Sequence, residues 1–151
     1  MTRSERLAPV QRVFGQAEQK RARDLGESQQ RLAAAEQKLQ DLREYRQDYE
    51  RSFQQRAKAG QPVTALRDFQ VFLARLDQAI EQQGQIVEAA RADVAGRTTQ
   101  WQSAARQVKA VDSVVGRWKD EERRAGDRRD QKDTDERAQR AGIARGQTEN
   151  R

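Results

Sequence analysis

The chain has 151 residues, with 30 Lys and Arg against 24 Asp and Glu, and neither cysteine nor histidine. Only 34% of its residues are hydrophobic and 5% aromatic, at a mean hydropathy of −1.17. A compact core of so little apolar surface could not offset the roughly 1–2 kcal/mol of conformational entropy lost per ordered residue, which leaves intrinsic disorder or a long helical coiled coil.

The order of the residues favours the coiled coil. The first apolar stripe runs through Leu7, Val10, Phe14, Ala17 and Arg21, then Leu25, Ser28, Leu32, Ala35, Leu39, Leu42, Arg46, Tyr49 and Phe53. Spacings of three and four alternate, as a heptad seam requires. The step from Arg21 to Leu25 is four where three is due, a stutter beside Gly26 that would locally unwind a supercoil. Helix 1 is expected over residues 1–57.

A turn follows over 58–64. In Lys58-Ala-Gly-Gln-Pro62, Gly60 suits the left-handed end of one helix and Pro62 the first turn of the next. So short a connection makes the two helices antiparallel neighbours.

The second stripe is longer: Leu66, Phe69, Leu73, Leu76, Ile80, Gln83, Val87, Ala90, Val94, Arg97, Trp101, Ala104, Val108, Val111, Val115, Trp118, Glu122 and Ala125. Helix 2 is expected over 65–140. The two stripes share one antiparallel register, which sets Phe53 against Leu66, Leu42 against Leu76, Leu32 against Val87 and Leu7 against Val111. The expected fold is all-α, an antiparallel two-helix coiled coil in which helix 2 is the longer. The same register faces Arg21 with Arg97, so those arginines must turn to solvent or find carboxylates. It also leaves helix 2 unpaired from about residue 112, with Val115 and Trp118 exposed. From residue 141 periodicity lapses around Gly142 and Gly146, and a disordered tail is expected over 141–151.

Chemistry has little to work with. The five serines (Ser4, Ser28, Ser52, Ser103 and Ser113) have no imidazole to activate them. No phosphate-binding glycine loop occurs. Carboxylate pairs such as Glu121-Glu122 and Asp135-Glu136 sit in highly charged, solvated sequence. No enzyme, cofactor or metal site is expected. The amino terminus lacks the apolar run of a signal peptide, and no stretch is long and apolar enough for a membrane span, so a soluble cytoplasmic protein is expected. A pI near 10.1 raises nucleic acid as a partner, but acids are interspersed everywhere. Even Arg128-Arg129 lies between Asp127 and Asp130. A phosphate-tracking surface would lack such neighbours, so none is expected.

Four large apolar residues fall off the seams: Tyr45, Val71, Phe72 and Ile86. Tyr45 and Phe72 flank the seam at one height near the turn, beside Leu42, Tyr49, Leu76 and Ala79. They either fold over the seam or form a docking patch with aromatic anchors.

The stretch Leu42-Arg-Glu-Tyr45-Arg-Gln-Asp-Tyr49, the Gly60 turn, and Asp68-Phe-Gln-Val-Phe72-Leu-Ala-Arg-Leu76-Asp-Gln-Ala79-Ile80 together resemble flagellar FliJ proteins. Trp101 and the Asp130-Gln-Lys132 to Asp135-Glu136 stretch are similar to the later part of that family. The likeness runs from about Leu7 to Arg140. It implies a non-enzymatic rod of the flagellar type III protein export apparatus, similar in shape to the γ subunit of rotary ATP synthases. Its implied partners are the hexameric export ATPase, entered by the open end of the hairpin, the cytoplasmic linker of the export-gate membrane protein, and export chaperones with their substrates. The gate-contacting surface it implies is Leu42, Tyr45, Tyr49, Phe72, Leu76 and Ala79. Lys38 and Gln83 depart from the family's pattern at the edge of that surface. The location implied is the cytoplasm at the flagellar base, peripheral to the inner membrane through partners. The isolated protein is expected to be monomeric, with the Arg21/Arg97 layer and the stutter as places to bend. Other readings of the same chain are the stalk of a virulence type III secretion system, an RNA-binding helical arm, and a scaffold that self-associates through the overhang.

Overall fold

The structure, a computed structural model, describes residues 1–149. Two helices make up almost all of it, α1 over Arg3–Lys58 and α2 over Val63–Glu149. The expected all-α antiparallel pair is the observed fold, with α2 the longer helix. Tertiary contacts divide the described residues into two units: Glu18–Ala104, and Met1–Ala17 with residues 105–149.

In the Glu18–Ala104 unit the turn is made as its residues dictate. The amides of Ala59 and Gly60 return to the carbonyls of Arg56 and Ala57 at 3.0 and 3.1 Å, and the Ala65 amide reaches the Pro62 carbonyl at 3.0 Å. Gly60 has φ of +83°, a conformation that costs a side-chain-bearing residue steric strain. Ala35, Leu76, Val87 and Ala104 form the most buried layers, Val87 at 2% exposure. Two polar side chains join them because their hydrogen bonds are met. Gln83 Nε2 donates across the seam to the Ala35 carbonyl at 3.0 Å. Ser28 Oγ donates to the Leu25 carbonyl of its own helix at 2.7 Å. The facing arginines also find partners. Arg97 reaches Asp93 at 3.1 Å and Asp24 at 3.8 Å, while Arg21 donates to Gln100 Oε1 at 3.2 Å. Further exposed pairs, Arg31–Asp93 and Arg91–Glu36, bridge the helices. Each such pair contributes at most about 1 kcal/mol, so they orient the helices more than they hold them.

The expected stutter is absent. The inward positions of α1 pass through Gln11 and Glu18, both half-buried, whereas Val10 and Ala17 are exposed. With Gln11 and Glu18 on the seam, the three-and-four spacing continues unbroken to Leu25. Apolarity pointed to the wrong residues here because the polar ones have partners: Gln11 Nε2 donates to Asp112 at 2.9 Å, and Trp101 Nε1 donates to Glu18 at 2.8 Å. The stutter therefore gives no place to bend.

In the other unit the expected overhang is largely paired. Arg3 lies 4.7 Å over the Trp118 ring and pairs with Glu121 at 3.1 Å. Glu122 accepts from the Ser4 hydroxyl at 2.6 Å and the Ser4 amide at 3.1 Å. Val115 is 2% exposed. Two features extend the pairing beyond the apolar register. The α1 helix starts at Arg3, where Thr2 and Glu5 form a reciprocal capping box, the Glu5 amide to Thr2 Oγ1 at 3.3 Å and the Thr2 amide to Glu5 Oε2 at 2.9 Å. Helical side chains also lean toward their own amino terminus, so Glu122 reaches back along α2 to Ser4. Unpartnered helix begins only past Gly126; from Asp127 every described residue is exposed.

The expected disorder over 141–149 is likewise replaced by helix to Glu149. No proline interrupts the stretch, so each added residue gains a backbone hydrogen bond, and Thr148 Oγ1 donates back to the Arg145 carbonyl at 2.8 Å. Asn150 and Arg151, the end of that expected tail, lie outside the described residues.

Two substitutions at glycine should act in opposite directions in urea unfolding. Gly60→Ala should destabilise by about 1–2 kcal/mol because its φ is positive. Gly84→Ala should stabilise by about 0.5–1 kcal/mol, since a Cβ there meets nothing within 4 Å. Acid should loosen the Ser4–Glu122 closure. The Ser4 hydroxyl and amide, followed by Thr2 and Arg3, hold the Glu122 carboxyl below its ordinary 4.5. A lowered folded pKa stabilises above the ordinary value and the gain is lost as pH falls through the folded one. Trp118 fluorescence should report that loss in the wild type, and Glu122→Gln should abolish the response.

Candidate functional site

Close to the turn, α1 carries aromatic residues at a spacing of four, Tyr45, Tyr49 and Phe53, on neighbouring turns of one face. Opposite, α2 supplies Phe69 and Phe72, three residues apart. The antiparallel pairing joins them into one ladder. Phe53 and Phe69 stack at 3.9 Å between centroids, Tyr49 lies 5.2 Å from Phe69 and 4.5 Å from Phe72, and Tyr45 meets Phe72 edge-on at 6.2 Å. Offset and edge-to-face pairs of this kind add to the gain from burial alone.

The ladder is graded in exposure. Leu76 beneath it is 8% exposed, while Tyr45 at its edge is 53% exposed. Leu42, Tyr49, Phe72 and Ala79 lie between. Beside Tyr49 and Phe72, a shallow groove is lined by Asp68, Val71 and Arg75, with Val71 53% exposed. The opposite flank of the seam is closed by charge. Arg46 forms a forked pair with Asp77 across the helices and a second pair, at 3.1 Å, with Glu50 on its own helix. Hydrogen bonding to Asp77 raises the guanidinium pKa further above its ordinary value. The patch therefore opens to one side only.

A family model described as the flagellar FliJ protein matches residues 3–147 of the chain. The chain belongs to the FliJ family. No curated protein and no solved structure matches it at a significant level. FliJ membership makes it a component of flagellum biogenesis and of the flagellar protein export apparatus, in a family of structural rather than enzymatic components. No helix among the described residues is long and apolar enough to cross a membrane.

The structure gathers all six residues singled out from the FliJ resemblance around one stretch of seam, but they are not equivalent. Leu76 is seam and supports the patch from beneath. Tyr45 and Phe72 both fold over the seam and keep an open face, so packing and display are combined. Phe53, Phe69 and Val71 extend the patch. The first two read as ordinary seam in the sequence, and their stacking becomes visible only once the helices are paired. Gln83, one of the two departures from the FliJ pattern, is buried against the Ala35 carbonyl and so contributes little to the outer surface. Lys38, the other, is exposed.

Substitutions should separate support from display. Tyr49→Ala removes the ring that touches three others and should cost about 2–3 kcal/mol, somewhat less than full loss of a buried aromatic. Tyr45→Ala should cost under about 1 kcal/mol. Chemical denaturation of the two variants checks the order.

Proposed function

We propose that this FliJ-family chain couples the hexameric export ATPase to the cytoplasmic linker of the export-gate membrane protein, and escorts export chaperones with their substrates. It performs no chemistry itself and holds no cofactor. It is a monomer in isolation and works in the cytoplasm at the flagellar base, reaching the inner membrane only through its partners. The observation that carries this reading is the graded aromatic ladder, which gathers five rings in one place while the other exposed apolar side chains, such as Val13, Ile86 and Ile143, stand apart from it. Half-exposed rings on a supported base are the side chains that anchor protein interfaces, and this patch coincides with the surface that the family resemblance implies for the gate. The helix beyond Gly126 has no partner among the described residues and supplies charged surface for the ATPase.

Co-purification with the export ATPase and the gate protein tests the division of labour. Phe72→Ala should lower gate binding at least tenfold while ATPase binding persists. A wild-type chain that binds neither partner would overturn the proposal.

A further inference from the structure

Pro9 stands inside α1. It brings no amide to the carbonyl four residues earlier, its ring crowds that carbonyl, and it disfavours helical backbone at the residue before it. The helical ladder is therefore weakened between residues 3–8 and the remainder of α1. That short amino-terminal segment is nevertheless held at several points. The capping box of Thr2 and Glu5 closes it on itself. Arg3 covers Trp118 and pairs with Glu121, and the buried Ser4 gives both its hydroxyl and its amide to Glu122. Beyond the proline, Gln11 bonds Asp112. Val115 lies on α2 between Asp112 and Trp118, so the segment that spans Arg3 to Gln11 is what brings it to 2% exposure.

We infer that residues 2–8 form a strap, separated from the rest of α1 by Pro9 and latched by Glu122, whose opening uncovers Val115 and Trp118 without unfolding the helix pair beyond the proline. The parts are unequal in a way that suits such a device. Arg3 and Glu121 are largely exposed, at 63% and 61%, and a pair of that kind holds little. Among the hydrogen bonds and ion pairs of the described segment, only the Ser4–Glu122 bonds join a buried group to α2, and half-buried Leu7 adds apolar packing. Removing them leaves the Ser4 amide unpaired unless the strap lifts into water, where it is solvated. Lifting is then the favoured response, and the weakened ladder at Pro9 confines it to the residues before the proline. The inference is independent of the coupling function proposed above, since it rests on packing within this unit.

Amide hydrogen exchange on the full chain, read residue by residue, tests it. In the wild type, amides of residues 5–8 should exchange at least tenfold faster than those of residues 13–17. Glu122→Ala, which keeps α2 a good helix former, should speed residues 5–8 by a further tenfold and leave residues 13–17 unchanged. In a Trp101→Phe background it should also make Trp118 more accessible to acrylamide. Pro9→Ala should slow residues 5–8 to the rate of residues 13–17. This last variant restores a hydrogen bond, so failure to fold would not mask the answer. Equal wild-type exchange on both sides of Pro9, or equal acceleration of both by Glu122→Ala, would show that the end frays as one piece and would overturn the strap.

Discussion

Two paired helices have no interior except the seam between them, and everything else in this protein follows from that constraint. A residue on the seam is shielded by one neighbouring helix and by its own flanking side chains, so few positions become fully buried. Val87, Val115 and the small Ser28 do, while most leucines remain half-exposed. Stability must then be accumulated along the length of the contact, layer after layer, because no single layer can bury much. Such a seam also admits polar residues wherever a partner is within reach. Gln83, Gln11 and Glu18 occupy seam positions because a carbonyl, a carboxylate and an indole N–H respectively lie across from them.

The same constraint explains why the aromatic ladder stands out. A two-helix contact has room for small and medium side chains, and large rings cannot be enclosed by it. Placed near the turn, five rings shelter one another instead, and the outermost keeps an open face. Arg46 with Asp77 closes one flank of the seam and leaves the rings accessible from the other. A chain with so few apolar residues thus concentrates its exposed aromatic surface in one place, which is the physical basis for proposing a docking surface there.

The ends of the seam are governed by backbone groups more than by apolar ones. At the turn, glycine in the left-handed conformation and a proline two residues later satisfy the chain reversal. At the beginning of α1, unpaired amides are met by Thr2 and by Glu122 from the other helix. This second closure was readable in part: the pattern Thr-x-x-Glu at residues 2–5 is a capping signal. The role of Glu122 was not readable, since a glutamate in so charged a stretch, beside Glu121, has many possible partners and only the fold selects Ser4.

By itself the sequence determined the two helices, their antiparallel pairing and the place of the turn, because these depend on local spacing, and spacing of three and four is written directly in the chain. It also determined the family and the region of the exposed aromatics. Tertiary structure alone decided which of Val10 or Gln11, and Ala17 or Glu18, faces inward, how far the pairing extends past Asp112, and which rings stack. Those outcomes depend on hydrogen bonds and ring contacts between residues distant in sequence. Hydrophobicity, the signal that places residues on a seam, ranks such alternatives by apolar character and has no access to the partner that makes the polar choice favourable.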